Sequence, residues 1–212
     1  DCSSVNYPEL WKVVITKIEK QKKDKKRYSI FLNDEFYWGL YDDTILKFGL
    51  ASKDEISEAK IAEIKDFDEY IFGKKIAFDY LSYRIRTVAE IRKKLRSKKV
   101  SEPGIEKVLK HLEELGLTND EEFAIQLAGE KIKHKKIGKK LLMQKFFEKG
   151  ISKSTGEAVL EKVFSEVDEK QIALDNFRKY YPKIKQKEIS DRKRKTFDHL
   201  ARKGFDFEVI NE

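Results

Sequence analysis

From about residue 70 onward, apolar residues recur every three or four positions, which is the spacing of one buried helix face. The clearest stripe is Val88, Ile91 and Leu95, and a second one contains Ile105, Val108, Leu109, Leu112 and Leu115. Thr87-Val88-Ala89-Glu90 has the composition of a capping box, so a helix should begin there. The pattern predicts helices at about 70–82, 87–98, 102–115, 119–134, 137–149, 153–166, 168–181 and 186–203.

The helical part repeats at intervals of about fifty residues. LRSKKVS at 95–101, FFEKGIS at 146–152 and LARKGFD at 200–206 lie 51 and 54 residues apart. Gly150 and Gly204 suit the left-handed conformation that ends many helices, and Lys99 occupies the equivalent position with more strain. One three-helix unit per interval predicts tandem three-helix repeats that form a short curved solenoid. We place the repeats at 70–118, 119–167 and 168–212. The third helix of the last repeat is incomplete, so we expect the native chain to continue.

The first 69 residues have a different pattern. β-branched residues alternate partially in WKVVITKIEKQ, and RYSIFL and FYWGLY flank the turn residues Asn33 and Asp34. These segments predict a small antiparallel β-meander, which should pack on the helices that follow it. TILKFG should form a short helix, and SKDEISEAKIAEIKDFDEY a longer one. The predicted fold class is therefore mainly α, with a small β-meander preceding the repeats.

Composition narrows the class of partner. The chain has 212 residues, 40% of them charged, and a net charge of +8, which favours polyanionic partners such as nucleic acid or acidic protein surfaces. Its one cysteine, Cys2, excludes an internal disulfide. No apolar run approaches the length of a membrane span, and DCSSVNYPEL lacks the apolar core of a signal peptide. We expect a cytoplasmic monomer without membrane contact.

The residue types required for catalysis are not grouped. His111, His134 and His199 are dispersed, and GKK at 73–75 and 138–140 lacks the rest of a phosphate-binding loop. Acidic pairs fall at predicted helix starts, where the helix dipole alone explains them. We expect no enzyme activity, no metal and no cofactor.

Clustered cations are the feature that recurs. In each repeat they cover the joint between the first and second helices and the exposed side of the second helix, whereas the third helices are acidic or balanced. We interpret this segregation as a basic stripe for a partner; the alternative is a solvated helix surface. Nearby rings such as Tyr80, Tyr83, Tyr180 and Tyr181 are expected to pack rather than stack on bases. The candidate binding residues are Arg84, Arg86, Arg92, Lys93, Arg96, Lys135, Lys136, Lys139, Lys140, Lys185, Lys187, Arg192 and Arg194.

Several of these segments resemble a known family. YLSYRIRTVAEIRKKL at 80–95 is similar to the signature of the RecX family of bacterial recombination regulators, in which an L-S/T-x-R-x-R/K-S/T joint precedes an E-I/L-R-x-K-L helix. NDEEFAIQLAGEKIKHKKIGKKLLMQKFFEKGIS resembles the second family motif, and DHLARKGFDFEVI the third. The leading strands are similar to an extension found in members from low-GC Gram-positive bacteria. Ile85 and Ile137 depart from the family pattern, which commonly has Pro and a basic residue there.

The resemblance implies a non-enzymatic protein that binds the RecA recombinase and its nucleoprotein filament. It implies restraint of the ATPase, strand-exchange and co-protease activities of RecA, and so a role in DNA repair, homologous recombination and the SOS response. It brings no catalytic residue and no cofactor. Two alternatives remain open: a stand-alone basic module that binds nucleic acid directly, and a helical-repeat adaptor for another acidic protein.

Overall fold

A computed structural model describes residues 12–185 and 188–211 of the chain. The described residues up to Ser82, together with Lys94–His111, form one compact unit. Tyr83–Lys93 and the residues from Leu112 onward form a second unit. Lys187, one of the candidate binding residues, lies outside the described residues.

The first unit begins with a small antiparallel sheet. Its strands are β1 (Lys12–Lys20), β2 (Arg27–Leu32), β3 (Glu35–Tyr41) and β4 (Glu55–Ser57), in the order β3-β2-β1-β4. Asn33 and Asp34 both have positive φ, which is the geometry of a tight hairpin turn whose twist matches the flanking strands. The pairing of β1 with β2 shifts between Ile15 and Lys17, at the slip in the alternation.

β4 corrects the sequence prediction. The segment before Glu58 was expected to be helical, but Glu55–Ser57 pairs with Lys12–Val14 instead. Ile56 is buried in the core of the sheet, and Ser57 accepts a hydrogen bond from the backbone N–H of Lys60, which caps the next helix. The meander is therefore a four-stranded sheet.

Helices account for most of the remaining described residues. Their bounds are α1 (Asp42–Phe48), α2 (Glu58–Leu81), α3 (Val88–Ser97), α4 (Glu102–Glu114), α5 (Asp120–Lys135), α6 (Lys139–Glu148), α7 (Lys153–Glu166), α8 (Glu169–Tyr180), α9 (Ile189–Arg202) and α10 (Phe207–Asn211). A short 3₁₀ turn covers Tyr181–Lys183. The predicted helices from residue 87 onward are confirmed to within a few residues.

α2 is the main departure among the helices. It runs without a break through residue 70, where two separate helices were predicted, and buried residues occur on both sides of that point: Ile61, Ile64 and Asp68 before it, Gly73 and Ala77 after it. Its first half packs Ile61 and Ile64 against the sheet, as the small size of the sheet requires. In its second half, Gly73 lets the backbone approach Val108 of α4, since a Cβ there would lie 3.0 Å from the side chain.

The cores of the units follow the predicted stripes. Ile91, Leu95, Ile105, Val108 and Leu112 are buried, as are Leu142, Phe146 and Val159 in the second unit. Leu115 is the exception, since 51% of its surface is exposed. It lies one residue beyond the end of α4, directly before the left-handed Gly116.

Candidate partner-binding surface

In the second unit, the segments before α3 and α6 each receive the turn of the following repeat. We call residues 83–87 the first joint, 136–138 the second joint and 181–188 the third joint. At the first joint, the buried Thr87 hydroxyl donates to the carbonyl oxygen of Lys149 at 2.8 Å and accepts from the backbone N–H of Glu90 at 3.1 Å. At the second joint, the backbone N–H of Gly138 donates to the carbonyl oxygen of Lys203 at 2.9 Å. The same docking therefore occurs twice.

A carboxylate from the next repeat caps α3 and another caps α6. The backbone N–H of Val88, the first residue of α3, donates to Asp120 at 3.0 Å. The backbone N–H of Lys139, the first residue of α6, donates to Glu169 at 3.0 Å. Asp120 and Glu169 are themselves the first residues of α5 and α8, so one acidic position stabilises the helix start of the preceding repeat. These two bonds fix the first residues of α3 and α6, the helices that carry several of the candidate cations.

Arg84 is held within the first joint. Its guanidinium donates to both carboxylate oxygens of Glu90, at 3.0 and 3.1 Å, and to the carbonyl oxygen of Ile85 at 2.8 Å. Lys149 also donates to Glu90, at 2.9 Å. Although burial acts to raise the pKa of Glu90, the hydrogen bonds and charges of Arg84 and Lys149 outweigh it and hold that pKa below its usual range. The Arg84 guanidinium is therefore engaged within the first joint, although 43% of its side chain is exposed.

Three of the cations around the second joint, Lys136, Lys139 and Lys140, are also paired. Lys136 adopts positive φ and forms an ion pair with Asp175, while its carbonyl oxygen accepts from Asn176 at 2.7 Å. The side-chain nitrogen of Lys139 lies 3.3 Å from Glu169, and that of Lys140 lies 2.6 Å from Asp206.

The other candidates have varied surroundings. Arg96, in the first unit, forms a bidentate pair with Glu102. Arg192 lies over the ring of Tyr181 at 4.1 Å, and Arg194 lies 3.2 Å from Asp191. Arg86 and Arg92 also make interactions within the protein.

Three candidate lysines remain available to a partner. Lys93, Lys135 and Lys185 are exposed, and their side chains have no carboxylate partner among the described residues. The sequence indicated all three, but it did not separate them from the paired cations. The carboxylates that pair with the cations at the first two joints are Glu90, Glu169, Asp175 and Asp206. The sequence reasoning also missed the two carboxylates that cap α3 and α6, Asp120 and Glu169; they lie 49 residues apart, each directly after a helix cap, and this regular spacing was the signal that could have identified them.

The aromatic residues near the joints behave in two ways. Tyr180 stacks on His199 with ring centroids 3.8 Å apart, and Tyr181 stacks on Phe177 at 4.9 Å, which confirms the packing prediction for the third repeat. The prediction is wrong for Tyr83, whose surface is 84% exposed.

The described part of the chain offers no cluster of three or more potential metal ligands among its His, Cys, Asp and Glu side chains. Within the same residues, no helix combines the length and apolar character needed to cross a bilayer.

The fold and joints define the chain as a tandem three-helix-repeat protein with an N-terminal sheet. Family models agree in three places: the regulatory protein RecX N-terminal domain matches residues 13–57, the first RecX three-helix domain matches 74–112, and the third matches 168–212. Regulatory protein RecX of Staphylococcus aureus strain Newman is 32% identical over 200 residues, which cover 93% of this chain and 72% of the relative. The strain JH9 protein has the same identity and coverage. The chain belongs to the RecX family of regulatory proteins.

Solved structures agree with this assignment. A crystal structure of regulatory protein RecX superposes with a TM-score of 0.75 and 29% identity, covering 94% of this chain and 97% of the other. RecX from Lactobacillus salivarius superposes with a TM-score of 0.63 and 25% identity, covering 68% and 93%. The predicted family and the mainly helical repeat fold are confirmed.

Proposed function

We propose that this protein is a non-enzymatic regulator that binds the RecA recombinase on its DNA filament and restrains its ATPase, strand-exchange and co-protease activities. The observation that carries the proposal is membership of a family of regulatory proteins over nearly the whole chain. The proposal places its action in the cytoplasm, in DNA repair and the SOS response, and treats the protein as a monomer.

The geometry of the joints supports a binding role. The first and second joints are built alike, because each is fixed by a turn and a carboxylate of the next repeat. Similar contacts offered by successive repeats suit a partner that is itself repetitive, and linked weak contacts add to a strong overall affinity. In this proposal, Lys93, Lys135 and Lys185 are the leading charged contacts, and the paired cations contribute where the partner displaces their carboxylates.

The second candidate is a stand-alone nucleic-acid-binding module. It is favoured by the run from Lys131 to Lys136, in which five of six residues are basic or histidine and none is acidic. The exposed Lys133 and Lys135 in this run are free to meet phosphates.

DNA-stimulated ATP hydrolysis by RecA separates these candidates. The protein is titrated at amounts far below the RecA concentration and far below those that cover the DNA. A filament regulator inhibits at these low ratios, because each molecule acts on many RecA protomers. Inhibition that begins only when the protein saturates the free DNA would support competition for DNA and refute the regulator.

A further inference from the structure

Tyr83 is exposed to solvent, and so is the apolar side chain two residues further along the chain. Its surface is 84% exposed, and that of Ile85 is 44% exposed. Both lie in the first joint, a non-helical segment of the second unit. Exposed single apolar residues are common, but tyrosine is enriched among the residues that dominate binding energy, so an exposed tyrosine two positions from an exposed isoleucine on a fixed loop is a candidate interface anchor.

The first joint is held in place by its own hydrogen bonds. The Arg84 side chain donates to the carbonyl oxygen of Ile85 and to Glu90, so it links the joint to the first turn of α3. Thr87 and Val88 attach the end of the joint to Lys149 and Asp120. A loop fixed in this way loses little conformational entropy when a partner binds, which favours affinity.

The charge at this joint argues for a protein partner over nucleic acid. The Arg84 guanidinium is occupied by Glu90 through two hydrogen bonds, and Lys149 shares that carboxylate. Arg86 is half-buried and has its own interactions. Backbone phosphates dominate nucleic-acid affinity and require available cations. Ile85 also adds apolar surface, which a protein pocket binds and a phosphate chain does not.

We infer that Tyr83, supported by Ile85, is an apolar anchor that inserts into a pocket on the recombinase protein, with Arg84 as the positioning residue of the joint. The inference rests on the proposed function, and it names the contact through which that function is exerted. The main contact of the first joint is then Tyr83, whereas the sequence suggested Arg84 and Arg86.

The test compares wild type, Tyr83→Ala, Ile85→Ala and a matched control, Phe147→Ala. Phe147 is a 53% exposed aromatic residue of α6 in the same unit. Three quantities are measured for each protein: the concentration that half-inhibits RecA ATPase, the affinity for a single-stranded oligonucleotide without RecA, and the melting temperature.

We expect Tyr83→Ala to raise the half-inhibitory concentration by about tenfold or more, as truncation of an anchor residue does, and Ile85→Ala to raise it less. The melting temperature and oligonucleotide affinity should stay at the wild-type values, and Phe147→Ala should inhibit like wild type. Equal inhibition by wild type and Tyr83→Ala would overturn the inference while leaving the proposed function intact. A parallel loss of oligonucleotide affinity would overturn it in favour of base stacking. Absence of inhibition by wild type would overturn the proposed function itself.

Discussion

Gly150 lies directly against Ala89: a Cβ atom added to Gly150 would be 2.3 Å from the Cβ of Ala89. The relationship is repeated in the next pair of repeats, where a Cβ on Gly204 would lie 2.2 Å from the backbone nitrogen of Leu141. Both glycines also have positive φ. Glycine is therefore required at these helix ends for two reasons, the left-handed backbone and the close approach of the preceding repeat.

Gly150→Ala should destabilise the second unit more than Gly116→Ala. Gly116 also has positive φ, but an added Cβ there meets nothing within 4 Å, so its variant measures the backbone strain alone. We expect Gly116→Ala to cost about 1–2 kcal/mol and Gly150→Ala roughly 1–3 kcal/mol more, from overpacking against Ala89. Urea unfolding followed by circular dichroism gives both free energies, and equal losses would show that the repeats do not dock through this glycine.

Lys99→Gly should stabilise the protein. Lys99 follows the end of α3 and has a φ of 63°, the same left-handed conformation as Gly150. Its side chain is exposed, so the position lacks the close packing found at Gly150. Relief of the left-handed strain should exceed the added chain entropy by about 0.5–1 kcal/mol. Lys98→Gly is the matched control, because its φ is not positive, and it should lower stability. A loss in both variants would contradict this explanation.

Glu90→Gln should lower stability at neutral pH by about 1 kcal/mol, because the carboxylate binds Arg84 and Lys149 and is only 17% exposed. Its folded pKa is depressed, so its contribution is present above the unfolded pKa and is lost as the pH falls through the folded pKa. The difference in unfolding free energy between wild type and Glu90→Gln should therefore shrink in acid. A difference that stays constant from pH 7 to pH 3 would contradict the role of the charge.

Asp68 should show the opposite pH dependence. It accepts hydrogen bonds from the backbone N–H of Tyr41 at 2.8 Å and the Thr44 hydroxyl at 2.6 Å, and burial raises its pKa despite these bonds. A raised folded pKa means that the folded state binds a proton more readily, so wild type should gain stability relative to Asp68→Asn as the pH falls toward 4. Unfolding curves of wild type and Asp68→Asn between pH 7 and pH 4 show whether the difference in their unfolding free energies changes in this direction.

Asp68→Ala serves as the structural comparison. It leaves the Tyr41 N–H and the Thr44 hydroxyl without this acceptor in a buried site, which should cost about 2–4 kcal/mol at neutral pH. A loss no larger than that of Asp68→Asn would show that water or another group replaces the carboxylate.

Helix positions were predictable because the residues that determine them lie close together in the sequence. The Val88, Ile91 and Leu95 stripe and the Thr87 cap each depend on residues within one turn or two of each other. β4 was missed for the opposite reason: Glu55–Ser57 is a strand only because β1, some forty residues earlier, pairs with it. The propensities of residues 55–57 alone do not reveal a pairing with a distant strand.

The candidate site was predictable as a set of residue types but not as a set of available charges. Arg84 and Lys93 belong to the same basic segment, yet Arg84 is bound by Glu90 whereas Lys93 is free among the described residues. Likewise, Tyr83 was expected to pack within the protein and is instead exposed. Which side chains are left for a partner depends on side-chain pairing in three dimensions, and a pattern of charges along the chain does not determine it.

The most direct test of the central claim compares the affinity of the protein for a RecA filament on a fluorescent oligonucleotide with its affinity for the same oligonucleotide alone. The measurement is made by anisotropy at two salt concentrations. A regulator that recognises the protein filament should bind it at least about tenfold more tightly than bare DNA, and that preference should grow with salt as phosphate contacts weaken. Equal affinity for filament and bare DNA, with the same steep loss at high salt, would contradict the account and identify the protein as a DNA-binding module.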